Sequence, residues 1–333
     1  MPASTLPNYK TAAEEQAAEL ASSVRAEFAS NVRAGLCKPQ KELHSKYLYD
    51  DLGSALFEAI THLPEYGLTR ADVRLLREHA GEISVLVPAP GAVIELGSGM
   101  GRKTRPILAA LRRRQPVRYF PIDVSLEALT RCERELSDIA EVHPLPQSYL
   151  DGMAAVTEER RKDEPVLVLF LGSTIGNFER PCALEFLRDL RSALLPGDSL
   201  LLGADLVKER DRMLAAYDDP TGVTAAFNLN LLARINRELH GDFELRNFEH
   251  QARWNERERR IEMHLISRVG QTVSIPDAGL LVHFRAGEAI WTESSHKFLA
   301  EEMFDLAEQS GFFVQAQWVD SQWPFVESFW TAR

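Results

Sequence analysis

Cysteine is scarce in this chain, and basic residues are outnumbered by acids. The three cysteines, Cys37, Cys132 and Cys182, are far apart and odd in number. That argues against a disulfide framework, gives no paired spacing for a metal, and fits a reduced, cytoplasmic setting. Lysine and arginine total 38 against 49 acids, a formal net charge of −11. No basic stretch offsets that charge, so no nucleic-acid partner is expected. The short run Arg112-Arg113-Arg114 suits a helix C-terminus, where cations complement the dipole. No run of about eighteen apolar residues and no leader is found, so neither a membrane span nor export is expected. What is present, 45% hydrophobic and 26% charged residues, is ordinary for a globular protein. A chain of 333 residues has room for two domains, or one with a sizeable insertion.

The organising stretch is Val93-Ile94-Glu95-Leu96-Gly97-Ser98-Gly99-Met100-Gly101-Arg102-Lys103-Thr104, a buried strand breaking into a glycine-rich turn before a helix. Glycine tolerates positive φ and lets a ligand approach the backbone. In an open α/β sheet such a turn lies at the carboxyl ends of the strands, where nucleotides bind. A second strand ends in Asp123, placed to take both hydroxyls of a ribose. The spacing is G-x-G-x-G with Glu95 leading into it, an acidic approach that would repel a pyrophosphate. It suits a ligand with a cationic end, and S-adenosylmethionine is favoured over NAD.

From Val93 to about Leu206 strands and helices alternate, the mark of a parallel sheet covered on both faces. Strands are expected at Val93–Leu96, Arg118–Ile122, Glu141–Leu145, Val166–Leu171 and Ser199–Ala204. Helices are expected at Lys103–Arg113, Leu126–Ile139, Asp151–Arg161 and Cys182–Leu194. Before this region, residues 1 to about 10 read as a loose tail. Leu20, Val24, Phe28 and Val32 mark an amphipathic helix over 11–36, and Thr69 reads as a helix cap. After Asp205 the pattern changes to helices over 208–246 and strands over 248–269 and 271–284. A helix over 299–310 and strands at Phe312–Asp320 and Phe325–Thr331 close the chain. The expected fold is α/β: a Rossmann-like class I methyltransferase sheet with an inserted α+β substrate lobe. The division is 62–206 plus 297–333 for the donor domain and 11–61 plus 207–296 for the lobe. His250 and His264 lack partners at ligand spacing and read as surface or core residues, not metal ligands.

Several motifs stand in order along the chain. They are Tyr49-Asp50 with Gly53-Ser54, Leu63-Pro64-Glu65-Tyr66 with Thr69-Arg70, and Glu95-Leu96-Gly97-Ser98-Gly99. Gly172-Ser173-Thr174-Ile175-Gly176-Asn177, Ala216-Tyr217-Asp218-Asp219 and Phe227-Asn228-Leu229-Asn230 follow, then Ile261-Glu262-Met263 and Thr292-Glu293-Ser294-Ser295. From about Lys46 onward the chain thereby resembles the histidine-specific S-adenosylmethionine-dependent N-methyltransferases of ergothioneine biosynthesis. The resemblance implies stepwise transfer of three methyl groups to the α-amine of L-histidine, giving hercynine. It implies that Tyr66, Asn177 and Tyr217 hold the amino-acid carboxylate, while Tyr49, Gly172 and Thr174 surround the amine. Glu293 and Ser295 would read the imidazole, with Met263 and Phe227 packed beside it. Gly97, Gly99 and Lys103 would meet the methionine portion of the donor, Asp123 its ribose, and Ser148 and Tyr149 its adenine. No metal is implied, and a monomer is favoured.

The sequence departs from the family at two places. Ser148 stands where an acid is common, and Gly67 stands where a second aromatic is common, which is expected to enlarge the substrate mouth. Three other readings are a same-fold enzyme acting on another amino acid or an indole such as tryptophan, a NAD-dependent oxidoreductase, and a binding protein without turnover.

Overall fold

The computed structural model describes residues 9–87, 91–161 and 164–333, with side chains from Ser22 onward. The expected tail over residues 1–8 and the side chain of Leu20 lie outside the described residues. In chain order the first elements are α1 (Tyr9–Leu36), β1 (Lys41–Glu42), α2 (Asp51–Thr61) and α3 (Leu68–Leu86). Next come β2 (Ala92–Leu96), α4 (Arg105–Arg112), β3 (Arg118–Ile122), α5 (Leu126–Leu136), β4 (Glu141–Val142) and α6 (Tyr149–Glu158). Then follow β5 (Val166–Phe170), α7 (Arg180–Ser192), β6 (Ser199–Asp205), α8 (Arg210–Tyr217) and α9 (Val223–Leu239). The chain closes with β7 (Phe248–Asn255), β8 (Arg260–Ser267), β9 (Gln271–Ile275), β10 (Leu280–Phe284), β11 (Ala289–His296), α10 (Glu302–Gln309), β12 (Phe312–Val319) and β13 (Phe325–Ala332).

Two compact units emerge. One comprises Ala55–Val223, Ala252–Glu262 and Ser294–Arg333; the other comprises the chain up to Ser54, Thr224–Gln251 and Met263–Glu293. In the first, a seven-stranded sheet runs β12-β13-β6-β5-β2-β3-β4. The pairs β6–β5, β5–β2, β2–β3 and β3–β4 are parallel, whereas β13 is antiparallel to both β6 and β12. Strands β2 and β5 are buried along their whole length. That is why β5 reads as an unbroken apolar run and β2 as one broken only at Glu95: helices cover both faces of a parallel sheet. One face buries Ile94, Val168, Phe170, Leu187 and Trp330; the other buries Val93, Tyr119, Leu108, Leu169 and Phe329.

The strand order reverses between β2 and β5, so the loops leaving their carboxyl ends splay apart and leave a crevice. The glycine turn after Leu96 and the loop after Phe170 are those two loops.

Some element boundaries differ from the sequence reading, for physical reasons. The expected strand Glu141–Leu145 is only Glu141–Val142, continued by a bridge between Ile122 and Leu145. His143 N and Leu145 N still donate to Tyr119 O and Pro121 O, and the gap falls at Pro121 of β3, which has no N–H to return. Thr69 is not a cap: α3 starts at Leu68, with Gly67 ahead of it. Residues 55–61, 207–223, 252–262 and 294–296 pack with the sheet rather than with the inserted lobe. Glu58 pairs with Arg102 at 3.0 Å, Phe57 lies edge-on to Tyr66 at 6.2 Å, and Arg212 lies over the Trp323 ring at 4.5 Å.

In the other unit, Arg33 of α1 donates to the carbonyls of Ala278 and Gly279. The Arg234 guanidinium of α9 stacks over Phe28 and donates to Tyr47 O at 3.0 Å. Strands β9 and β10 form an antiparallel hairpin.

Candidate active site

Each carboxyl end of the crevice is shaped by backbone that only a small residue holds comfortably. Gly97, Gly99 and Gly101 all take positive φ, at 71°, 52° and 69°. Asp123, one residue past β3, ties this turn down: one carboxylate oxygen accepts from Gly99 N at 2.9 Å, and the other accepts from Ser125 N at 2.9 Å. Each oxygen has a lone pair to spare, so the carboxylate can still accept from two hydroxyls of a ligand. The Tyr149 hydroxyl lies 3.0 Å from the position a Cβ on Gly97 would take, placing the tyrosine at the mouth of the turn. Burial pushes its pKa up to about 12, helped by the charge of Asp123. Ser148 caps α6 and is exposed; its hydroxyl donates to Asp151 at 2.6 Å.

Glu95 has a different place from the one expected of it. Its carboxylate is fully buried and accepts from Thr104 Oγ1 at 2.6 Å and from the Tyr119 hydroxyl. It therefore braces the chain entering α4 and does not line the approach to the turn. Burial raises its pKa to about 7 against the pull of Lys103 and the two hydroxyl donors.

The loop after β5 carries two successive left-handed residues, Gly172 at φ 73° and Ser173 at φ 60°. For a residue with a side chain this conformation costs about 1–2 kcal/mol. It is held because the Ser173 hydroxyl accepts from Asp205 N at 2.9 Å. Thr174 donates its hydroxyl to Leu171 O at 2.9 Å and starts a 3-10 turn that ends at the half-buried Asn177. A Cβ on Gly176 would meet His296 O at 2.8 Å, so glycine is what allows this loop to lie against the end of β11. Lys103 reaches the same loop: its ammonium is 2.7 Å from where a Gly172 Cβ would sit, and it pairs with buried Asp72 at 3.3 Å. Glu327, on β13, joins that cluster fully buried, with burial and the neighbouring Asp72 holding its pKa well above the carboxylate range.

A second buried network stands behind the loop. Lys297, wholly inaccessible, donates to the Tyr217 hydroxyl at 2.7 Å and to Ser295 Oγ at 2.9 Å, and pairs with Asp205 at 3.0 Å. Tyr217 and Ser295 are themselves hydrogen-bonded at 2.7 Å. Lys208 pairs with the other Asp205 oxygen at 2.6 Å, and the Trp323 indole donates to that oxygen at 2.9 Å. Burial lowers the Lys208 pKa to about 8. Tyr66 lies edge-on to Tyr217 at 6.1 Å. The sequence reading expected Gly67 to open a wider mouth here. Instead the Trp323 ring fills that space, 2.1 Å from where a Gly67 Cβ would be.

The remaining expected residues belong to the other unit. Tyr49 is half-buried and edge-on to Phe227 at 5.5 Å. Asp50 beside it accepts from Gly53 N and Asn230 Nδ2, both at 2.7 Å, and pairs with Arg237. Met263 is buried, and its carbonyl accepts from Thr292 Oγ1 at 3.0 Å. Glu293 is 8% exposed, and its backbone carbonyl accepts from the Trp291 indole at 3.0 Å. Asn228 contacts His250 Nδ1 at 2.9 Å and donates to His264 O at 3.2 Å, so both histidines are built into the lobe core. Among the described residues no group of His, Cys, Asp and Glu could hold a metal ion, and no helix is long and apolar enough to cross a membrane.

Sequence reasoning missed Asp72, Asp205, Lys208, Lys297 and Glu327. The available signal was a charged residue inside or just beyond an otherwise apolar strand, as in Leu200–Asp205 and Phe325–Phe329.

Residues 28–332 match the family described as histidine-specific methyltransferase, SAM-dependent. The histidine N-alpha-methyltransferase of Mycolicibacterium smegmatis is 44% identical over 297 residues, covering 87% of this chain and 90% of that protein. That of Mycobacterium tuberculosis is 42% identical over 300 residues, covering 89% and 92%. Ergothioneine biosynthesis protein 1 of Neurospora crassa is 36% identical over 199 residues, 59% of this chain and 23% of that longer protein. The match runs through the glycine turn, the loop after β5 and β11 alike, and the chain belongs to the histidine-specific, S-adenosylmethionine-dependent methyltransferases.

Proposed function

We infer that this enzyme transfers three methyl groups in succession from S-adenosylmethionine to the α-amine of L-histidine, giving hercynine. The observation that carries the reading is the near full-length likeness to two histidine N-alpha-methyltransferases. The crevice fits the donor. Gly97 and Gly99 present bare backbone, Asp123 keeps acceptor capacity for two ribose hydroxyls, and Tyr149 walls the turn. Lys103 takes the methionine carboxylate, and Ser148, with the Asp151 it bonds, reads the adenine. When bound, the donor supplies an electrophilic methyl on a sulfonium sulfur.

The protein's own work is positioning, because an in-line displacement needs little acid–base help and depends steeply on alignment. Asn177 and Tyr66 fix the substrate carboxylate; Tyr217, expected to join them, has its hydroxyl bonded to Lys297 and Ser295 and is assigned to the ring side instead. Tyr49, Gly172 and Thr174 surround an amine that must arrive unprotonated. Glu293 accepts an imidazole N–H, Ser295 with Tyr217 meets the ring's other side, and Phe227 and Met263 pack against it. The reading includes no metal, a cytoplasmic location, a monomer, and neither nucleic acid nor membrane as partner. The NAD-dependent alternative is overturned by the family match.

The test is mass spectrometry after incubating the purified protein with the methyl donor and an equimolar mixture of the twenty amino acids. Histidine alone should gain three methyl masses. Preferential methylation of tryptophan would establish the second reading instead.

A further inference from the structure

The Lys297 network carries a consequence for which form of the imidazole is accepted, and it rests on the reading that Ser295 touches the ring. A lysine ammonium has three N–H groups and accepts nothing. Here they face the Tyr217 hydroxyl, Ser295 Oγ and Asp205. A serine hydroxyl has one proton and two acceptor positions, while a tyrosine hydroxyl donates once and accepts well once. Tyr217 accepts from Lys297, so its proton is the one best given to Ser295, 2.7 Å away. Ser295 then accepts from both Lys297 and Tyr217, and its own proton is all that it can offer a ligand.

Charge on this side of the ring opposes an imidazolium, although Glu293 on the other side offsets it. Asp205 carries one negative charge against the two ammonium groups of Lys297 and Lys208, so the cluster is net positive. An imidazolium bonded to Ser295 would stand about 5 Å from the Lys297 ammonium, and like charges that close repel appreciably at any protein dielectric. The other charged or titratable side chains near this end of β11 are Glu293, whose carboxylate attracts an imidazolium, His296, Glu179, Arg180 and Arg260, so the discrimination falls to the direction of the Ser295 hydrogen bond. Glu179 pairs with Arg260 at 2.7 Å and approaches His296 at 3.6 Å.

We propose that Lys297 is a specificity-determining positioning residue: by donating to Tyr217 and Ser295 together it makes Ser295 an obligate donor, so the site takes the neutral imidazole and refuses the imidazolium. Ser295 gives its proton to the unprotonated ring nitrogen, and the N–H of the other nitrogen is left for Glu293. Tyr217 acts through Ser295, and the carboxylate is left to Asn177 and Tyr66.

Hercynine is the probe, because its trimethylammonium group does not titrate and only its ring changes charge between pH 5 and 7. Its affinity is measured by calorimetry across that range for the natural protein, Lys297→Met, Tyr217→Phe and Ser295→Ala. With an imidazole pKa near 6.5, affinity for the natural protein should rise about 20-fold from pH 5 to 7. Lys297→Met leaves the neutral Asp205–Lys208 pair and frees Ser295 to turn; it should flatten the rise to about 3-fold or less, with donor affinity unchanged. Tyr217→Phe, which also returns an acceptor position to Ser295, should flatten it in the same direction and serves if Lys297→Met does not fold. Affinity that is flat or falls with pH in the natural protein, or an unchanged profile in both variants, would overturn the proposal. Ser295→Ala separates the two levels: unchanged affinity there would instead remove Ser295 from the ring and defeat the underlying reading.

Discussion

At the scale of single residues, burial and partners decide what a side chain contributes, and Glu95 is the clearest case. Its carboxyl is fully buried in β2 and its pKa is raised from 4.5 to about 7. The sign follows from proton uptake: between pH 4.5 and 7 the folded protein holds a proton that the unfolded chain has released. Stability therefore falls as pH rises through that window, by about 3 kcal/mol in all. Glu95→Gln should remove most of this slope, since a carboxamide oxygen still accepts from Thr104 and Tyr119. Denaturant midpoints of both proteins at pH 5 and pH 8 check it, and equal slopes would show that Glu95 ionises normally.

Asp123→Ala should weaken donor binding by about 1–3 kcal/mol, the cost of unpaired hydrogen-bonding groups, read by calorimetry. Glu293→Ala should lower activity on histidine by an amount worth roughly 1.5–3 kcal/mol, and spare or improve activity on tryptophan, for which a desolvated carboxylate is a penalty. Asn177→Ala should damage turnover of every amino acid, since all present the same carboxylate. Paired kinetics on histidine and tryptophan distinguish the two. What was legible here was local: Asp123 and the glycine turn stand within one β-α-β stretch, so order along the chain sufficed. Glu95 was misread because adjacency to a glycine turn does not say where a strand side chain points. Lys297 was passed over because its partners Tyr217 and Asp205 are 80 and 92 positions away in the chain.

At the scale of elements, the loop between β5 and α7 does the most to place chemistry, and its glycines act in separable ways. Gly176 is needed because the His296 carbonyl lies 2.8 Å from its missing Cβ. Gly197, in the turn before β6, has open space around it but φ of 92°. Gly176→Ala should displace the loop, cutting histidine turnover at least about tenfold, because a small misplacement of reacting groups is costly. Gly197→Ala should cost about 1–2 kcal/mol of stability and leave the kinetics alone. Melting curves and steady-state rates on both variants check this, and similar behaviour in the two would show that loop placement is not what Gly176 secures. The alternating strands and helices of this region could be read from the sequence because each strand is a short apolar run bounded by turn residues. Edge strand β4 was expected in the right place but too long, since Pro121 on the neighbouring strand lacks the N–H that would continue the ladder.

At the scale of the whole molecule, the sheet topology explains why residues from distant motifs converge within one unit. Reversal of strand order between β2 and β5 puts the glycine turn and the loop after β5 side by side, and Lys103 spans them. The boundary of that unit was less legible. The change of pattern after Asp205 marks where alternation stops, yet α8 still packs with the sheet through Tyr217, Lys297 and Trp323. A break in periodicity reports a change of element type, and long-range contacts then decide which unit an element joins.

Which nitrogen of histidine receives the methyl groups, and how many, is what defines this enzyme's reaction. The most direct measurement is a single reaction of L-histidine with excess donor, in which released S-adenosylhomocysteine is counted and the product is fragmented by tandem mass spectrometry. The account predicts three equivalents of S-adenosylhomocysteine per histidine and all three methyl groups on the α-nitrogen. A methyl group on either ring nitrogen, or a reaction that ends at one methyl, would contradict it.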